Sequence, residues 1–499
     1  MDSQYERERQ QNIAENERLL RELGIAGGGG AALGAAPRKR APERSGGPRR
    51  ERRQKGAGGA PVLPQRASAR LRRSEPEHKP VREQSPPAPP PAPRVRHEDL
   101  DLAALADLDE KERAELAAVL DVRAQSPLPP QSPLEEALAA MRLTSHARIA
   151  QKRIYAMAYH PTLDKDLVFT GDQEGMLGVW DASAGAADGG VREGAAFQLR
   201  VHTKSIGALR LDPERPDRLY SSSYDGSVRV FALGAGTSHE VWAVRDGDDV
   251  QLGELDVLAG ASPALGRSLW AADHRGGLVH IDERVGRACR WQVSTKKIGG
   301  MSVWPREPHC IAAASNDRTV SLFDVRALRT LAETPVAPPK LADDDAGVAH
   351  TCAAARFGAH EYGMACTDAS FSPDGAYLAA LSYDDTVSVW RTADMCMPGG
   401  ALRDPLAGGT SFAHNNKTGK WVTLFRAQWH PSRDVAPHFA LASMERRAEI
   451  FAPDGRVLAS LYDPEWVTAI PAVTAMHPLV PARLATGNGS GRCALWTPT

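Results

Sequence analysis

The chain is poor in the residues that build covalent and catalytic devices. Its six cysteines (Cys289, Cys310, Cys352, Cys366, Cys396 and Cys493) stand apart, with no C-x-x-C pair and no His at metal-ligand spacing. That scatter argues against a disulfide framework or a zinc site and fits a reducing compartment. No eighteen apolar residues run together, and the opening YERERQQN lacks the apolar stretch of a signal peptide. A soluble intracellular protein with no membrane partner is therefore expected. G-x-S-x-G and H-E-x-x-H are missing as well. GNGSG (487–491) sits in a strand-to-strand turn, without the helix N-terminus that a phosphate loop needs. No enzyme, metal or cofactor is expected.

A net excess of charge is also lacking, since the formal charge is −1. The average hides a polarised chain. Fifteen Lys/Arg and only four acids lie between Arg38 and Arg82, so this segment carries +11 and the remainder −12. A basic arm on a mildly acidic body is the expected arrangement. Residues 1–25 contain an amphipathic helix candidate with Ile13, Leu20 and Leu23 on one face, ended by Gly24. It reads either as a partner-docking helix or as a solvated helix that frays. Residues 26–97 are rich in Gly, Pro, Ala, Ser and Arg, too apolar-poor to offset chain entropy, and are expected to be disordered. Within them Arg38, Lys39, Arg40, Arg49, Arg50, Arg52, Arg53 and Lys55 form a two-cluster signal for nuclear localisation or nucleic-acid contact. The expected location is the nucleus, with the cytoplasm as a second site. Residues 98–150 are expected to be a helical connector, with helices over 98–121 and 132–143. The second of these shows Ser132, Pro133 and Glu135 in capping-box spacing.

From residue 151 to the C-terminus a β-repeat takes over. Seven segments (LGVWDA, VRVFAL, LVHIDE, VSLFDV, VSVWRT, AEIFAP and CALWTP) close units spaced by 42 to 67 residues. Such a period, with short strands and Asp-bearing turns such as GDQEG (171–175), SYDGS (223–227) and SNDRT (315–319), predicts an all-β, seven-bladed WD40 β-propeller. The turn aspartates read as structural. His160, His430 and His477, each before a proline, read as turn caps.

Segments that enter the innermost strands carry repeated positive charge: QKRIYAM (151–157), HTKSIGA (202–208), STKKIGG (294–300) and HNNKTGKWVTLFRA (414–427). Lys152, Arg153, Lys204, Lys296, Lys297, Lys417, Lys420 and Arg426 should then gather on one rim and attract a polyanion. Asn415 and Asn416 either brace their loop or donate to phosphate. Trp421 and Phe425 can stack on an exposed base, although core packing is the expected role of both. Thr423 to Trp429 reads as the inner strand of the sixth blade.

Taken together, YERERQQNIAENERLLRELGI, RIYAMAYHPTLDKDLVFTGDQEGMLGVWD, RLYSSSYDGSVRV, SNDRTVSLFDVR and HNNKTGKWVTLFRAQWHP resemble the changed-mutation-rate family of DNA-damage-binding WD-repeat proteins. The resemblance covers the first twenty-five residues and most of the chain from Lys152 onward. It implies a nuclear protein that binds DNA, with preference for damaged duplex, and associates with chromatin and replication or quality-control factors; chromatin or histones are the partners expected beside DNA. Two departures stand out: a weak third blade with the polar insert GDDVQLGELD (247–256), and a long loop (329–362) with acidic residues at 343–345. FDVR (323–326) resembles a box by which some WD proteins dock a ubiquitin-ligase adaptor, through Asp324 and Arg326; the same residues also suit a propeller turn. A third class of function, a scaffold for histone tails or other peptides, calls for acidic residues at the channel mouth.

Overall fold

Alternation of apolar and small residues with Asp-centred turns produces seven sheets of four antiparallel strands, one of them extended by two further short strands. The computed structural model describes residues 99–102, 106–122, 133–185, 187–188, 191–244, 250–258, 268–283, 287–330, 355–395 and 404–499. The helix expected in 1–25, the linker over 26–97 and the basic clusters at 38–55 lie outside the described residues.

Each blade begins at the centre of the molecule. The inner strands are Ile154–Tyr159, Ile206–Leu211, Leu252–Val257, Ile298–Val303, Cys366–Phe371, Gln428–Trp429 and Val473–Met476. Successive inner strands touch one another, and the last touches the first, which closes a seven-bladed β-propeller. Second strands are almost wholly buried between neighbouring blades, and small side chains make that possible, as in CIAAAS (310–315) and YLAALS (377–382). The seven recurrent aromatic segments are third strands, for example Met176–Asp181 and Thr386–Arg391. They do not close their blades, because an outer fourth strand pairs with each one. The third blade is complete: its polar insert runs into the inner strand Leu252–Val257, which pairs with Ser268–Asp273.

The expected helical connector is only partly helical. One helix, Glu110–Leu120, is capped by a reciprocal pair: Asp109 Oδ1 accepts from Glu112 N at 2.7 Å, and Glu112 Oε2 accepts from Asp109 N at 2.9 Å. Its Leu116, Val119 and Leu120 are buried against Leu167, Phe169 and Leu199 of the first blade. The second helix is confined to Leu134–Ala139 and starts after Pro133 without a side-chain cap. From Met141 the chain is β-strand. Met141–Arg148 pairs antiparallel with Arg492–Pro498, from Met141 opposite Pro498 to Arg148 opposite Arg492. The seventh blade thus takes its outer strand from the opposite end of the chain, and the propeller begins at residue 141 rather than 151. A helix there would leave the hydrogen-bonding edge of the last blade open.

Candidate nucleic-acid interface

Because strands alternate in direction, the loop entering an inner strand and the turn joining second to third strands emerge on the same face. On that face the turns share one geometry. Asp225 Oδ1 accepts from Ser227 N at 3.0 Å and from its hydroxyl at 2.6 Å, and Asp317 does the same for Thr319 at 3.0 and 2.6 Å. The third residue after each turn's start adopts a left-handed conformation, with φ of 82° at Gly226, 77° at Arg318, 63° at Asp385 and 62° at Arg446. His202 ties the second blade together: Nδ1 lies 3.1 Å from Asp225 Oδ2, and Nε2 lies 2.8 Å from Ser221 Oγ. Burial opposes the charge of Asp225, but the His202 and Ser227 contacts outweigh it and hold the carboxyl well below its usual range. GNGSG is the equivalent turn of the last blade, with Asn488 Oδ1 accepting from Ser490 N and Arg492 N. These groups are consumed in shaping turns.

The loop from His414 to Ala427 departs from the others by crossing the face. At one end Asp385 Oδ1 accepts from Asn416 N at 2.9 Å and from Lys417 N at 3.2 Å. Asn416 is buried: Nδ2 donates to Thr386 O at 3.1 Å, and Oδ1 lies 2.8 Å from His414 Nδ1. At the other end Thr423 Oγ1 donates to Ile154 O of the first blade at 2.7 Å, and Arg153 Nη1 donates to Lys420 O at 3.2 Å. Between these anchors Lys417, Gly419, Lys420 and Trp421 are exposed, with Gly419 at φ 64°. Lys152, Lys204 and Lys296 are exposed on the same face, on loops of three other blades. Lys152 Nζ stands 3.5 Å from Glu174, both half exposed, a contact of little strength.

Comparison with known proteins gives the family. The family model for the WD domain, G-beta repeat, matches residues 352–391. A protein of Mycosarcoma maydis named DNA damage-binding protein CMR1 is 36% identical over 99% of this chain and 99% of its own length. The chain belongs to the CMR1 family. Proteins of the same name from Chaetomium globosum (32% identical) and Phaeosphaeria nodorum (34%) each align over 70% of this chain and 66% of their own lengths.

Within this CMR1-family propeller, not every predicted contact residue reaches the loop face. Arg426 turns into the central channel against Glu254 of the third blade, whose side chain is 1% exposed. The rim assignment of Arg426 is therefore corrected: a buried carboxylate on a facing strand outcompetes solvent for the guanidinium. Asn416 is likewise a loop brace, since its amide is spent on the backbone, whereas Asn415 is exposed. Lys297 is partly buried and donates to Tyr224 OH at 2.8 Å, with Nζ 5.4 Å from the ring centre. Arg153 is half-buried as the brace of Lys420. Against the expected core packing Trp421 is 75% exposed, while Phe425 is buried as expected. Thr423 to Trp429 is strand only at Gln428–Trp429, because the preceding residues lean across the mouth.

Elsewhere in the channel Asp256 Oδ2 accepts from Val303 N at 2.8 Å and Asp368 Oδ2 from Ala427 N at 2.9 Å, each linking one blade to the next. Burial raises the pKa of Glu254, Asp256 and Asp368, against the pull of Arg426 and Arg210. Asp324 and Arg326 lie at the other face, after a third strand. Arg326 Nη2 donates to Asp324 Oδ2 at 2.8 Å and Arg326 N to Oδ1 at 2.9 Å, so the pair closes its own turn. Among the described residues no three His, Cys, Asp or Glu are grouped to hold a metal ion. No described helix is long and apolar enough to cross a membrane.

Proposed function

We propose that this protein is a non-catalytic DNA-binding factor that engages duplex DNA, damaged duplex in preference, through the loop face of its propeller. The observation that carries the reading is the exposure of Lys152, Lys204, Lys296, Lys417 and Lys420 on one face, brought there from four blades. Cations gathered on one surface raise the local potential and neutralise phosphates in a salt-dependent way. The name of the fungal relatives, DNA damage-binding protein, supports the damage preference. The basic clusters from Arg38 to Lys55 supply nuclear accumulation and added backbone contact, and chromatin is the setting in which the protein works.

The test is a titration of intact and ultraviolet-irradiated duplex over a salt series. Lys296→Glu combined with Lys420→Glu should weaken binding to both at least about tenfold and lower the salt slope by about 2, with an unchanged melting temperature. Unchanged affinity sinks the face assignment. Removal of residues 38–82 should weaken binding most at low salt and abolish nuclear accumulation; a protein that stays nuclear places the signal elsewhere.

A further inference from the structure

Of the ten tryptophans, Trp421 is the most exposed, at 75%. On a loop that is pinned on both sides, this indole does not stand singly in solvent but adjoins further apolar side chains. Thr418 and Thr423 flank it and are both buried, so only a short tip projects. Beside the ring lies a cleft of about 450 Å³ between the sixth and seventh blades. Val422, Met444 and Ile470 form apolar wall, and Arg446 and Ser490 add polar groups. Lys420 Nζ stands 5.2 Å from the centre of the indole, and Arg446 Nη1 donates to Thr468 O at 3.5 Å, which keeps two cations at the edges of the cleft.

We infer that this cleft takes one unpaired nucleobase of a DNA strand, stacked on Trp421, with the adjoining phosphates held by Lys420 and Arg446. The ligand must offer a flat apolar face, a polar edge and neighbouring negative charge, and an unpaired nucleotide offers all three. A base inside an intact duplex does not, because its faces are covered by its neighbours. Lesions and mismatches lower the cost of bringing a base out of the stack, so such a site converts weakened pairing into affinity. Pinning at Thr418 and Thr423 presents the indole already in place, which lowers the ordering cost of binding. The inference rests on the DNA-binding reading above and assigns the damage preference to one residue.

The experiment uses the full chain and three probes of one sequence: an intact duplex, the same duplex with a single unpaired thymine, and the single strand. Fluorescence anisotropy at fixed salt gives the affinity for each. Wild type should favour the unpaired-thymine duplex over the intact one. Trp421→Ala should reduce that ratio by about tenfold, the range for loss of one stacked base, and Trp421→Phe should keep most of it. Lys296→Glu should weaken the two duplex probes by a common factor and leave the ratio. A ratio that survives Trp421→Ala, or a wild type that binds both duplexes equally, overturns the inference and leaves the DNA-binding reading standing. A wild type that binds none of the probes overturns both. With 5-iodouracil at the unpaired position, irradiation should place the adduct on the tryptic peptide Trp421–Arg426; an adduct confined to another peptide assigns the base to a different site and overturns the inference.

Discussion

A guanidinium between Phe425 and Ala427 reads as surface charge along the chain, yet Arg426 faces Glu254, a carboxylate from a strand about 170 residues earlier. Removing one member of such a pair strands the other in a low-dielectric site. Arg426→Ala should therefore cost about 3–5 kcal/mol of stability, read as a shift in the chemical-denaturation midpoint. Replacing Glu254 by Gln in the same protein should recover part of that loss. Trp421 errs in the opposite direction, since a large aromatic ahead of a strand is ordinarily core. Neither position was legible from the sequence, because each depends on which distant blade stands opposite. The turn role of Asp225 and Asp317 was legible, because the bonds that close their turns run only two residues along the chain.

At the level of the element, the His-Pro turns have consequences for acid stability. His160 Nδ1 accepts from Thr162 N at 3.1 Å, and His477 Nδ1 from Leu479 N at 3.0 Å. Their Nε2 atoms reach the neighbouring blade, 3.1 Å from Pro216 O and 2.9 Å from Thr162 O. Burial depresses His160 and His477 to about 4 and His430 to about 3. These values lie below that of an unfolded histidine, about 6.5. As the pH falls, the unfolded chain takes up protons first. Stability is present in full above about pH 6.5 and is lost as the pH falls toward 4, by roughly 1.4 kcal/mol per pH unit for each histidine. The channel carboxylates, raised by burial, act in the opposite sense at the acid end. Thermal melts between about pH 7 and pH 4.5 should show this fall, and His477→Gln should flatten it. A flat profile in wild type would place the titrating groups elsewhere. Turn capping by these histidines was readable from His-Pro spacing; the bonds to the next blade were not.

For the whole molecule, closure of the ring decides stability. Met141–Arg148 is the only described segment that supplies the outer strand of the seventh blade, and its residues pack with Trp496 and Met476. A chain beginning at residue 151 exposes the edge of Arg492–Pro498. It should lose the cooperative unfolding transition and aggregate, whereas a chain beginning at residue 133 should unfold in one transition in calorimetry. Equal stability of the two would show that the strand is dispensable. The repeat period marks a boundary at 151, since it cannot show a strand taken from the other end of the chain.

The sequence by itself determined the repeat, the seven blades, the Asp-centred turns and the separation of a basic arm from the repeats, since all of these are properties of local spacing or composition. Tertiary structure alone decided which of the basic residues stay exposed, that Arg426 faces inward, that residues 141–148 close the ring, and that Trp421 stands in solvent. The physical reason is the same in each case. Exposure and pairing are set by what another blade places opposite a side chain, and in a closed ring that blade lies far along the chain.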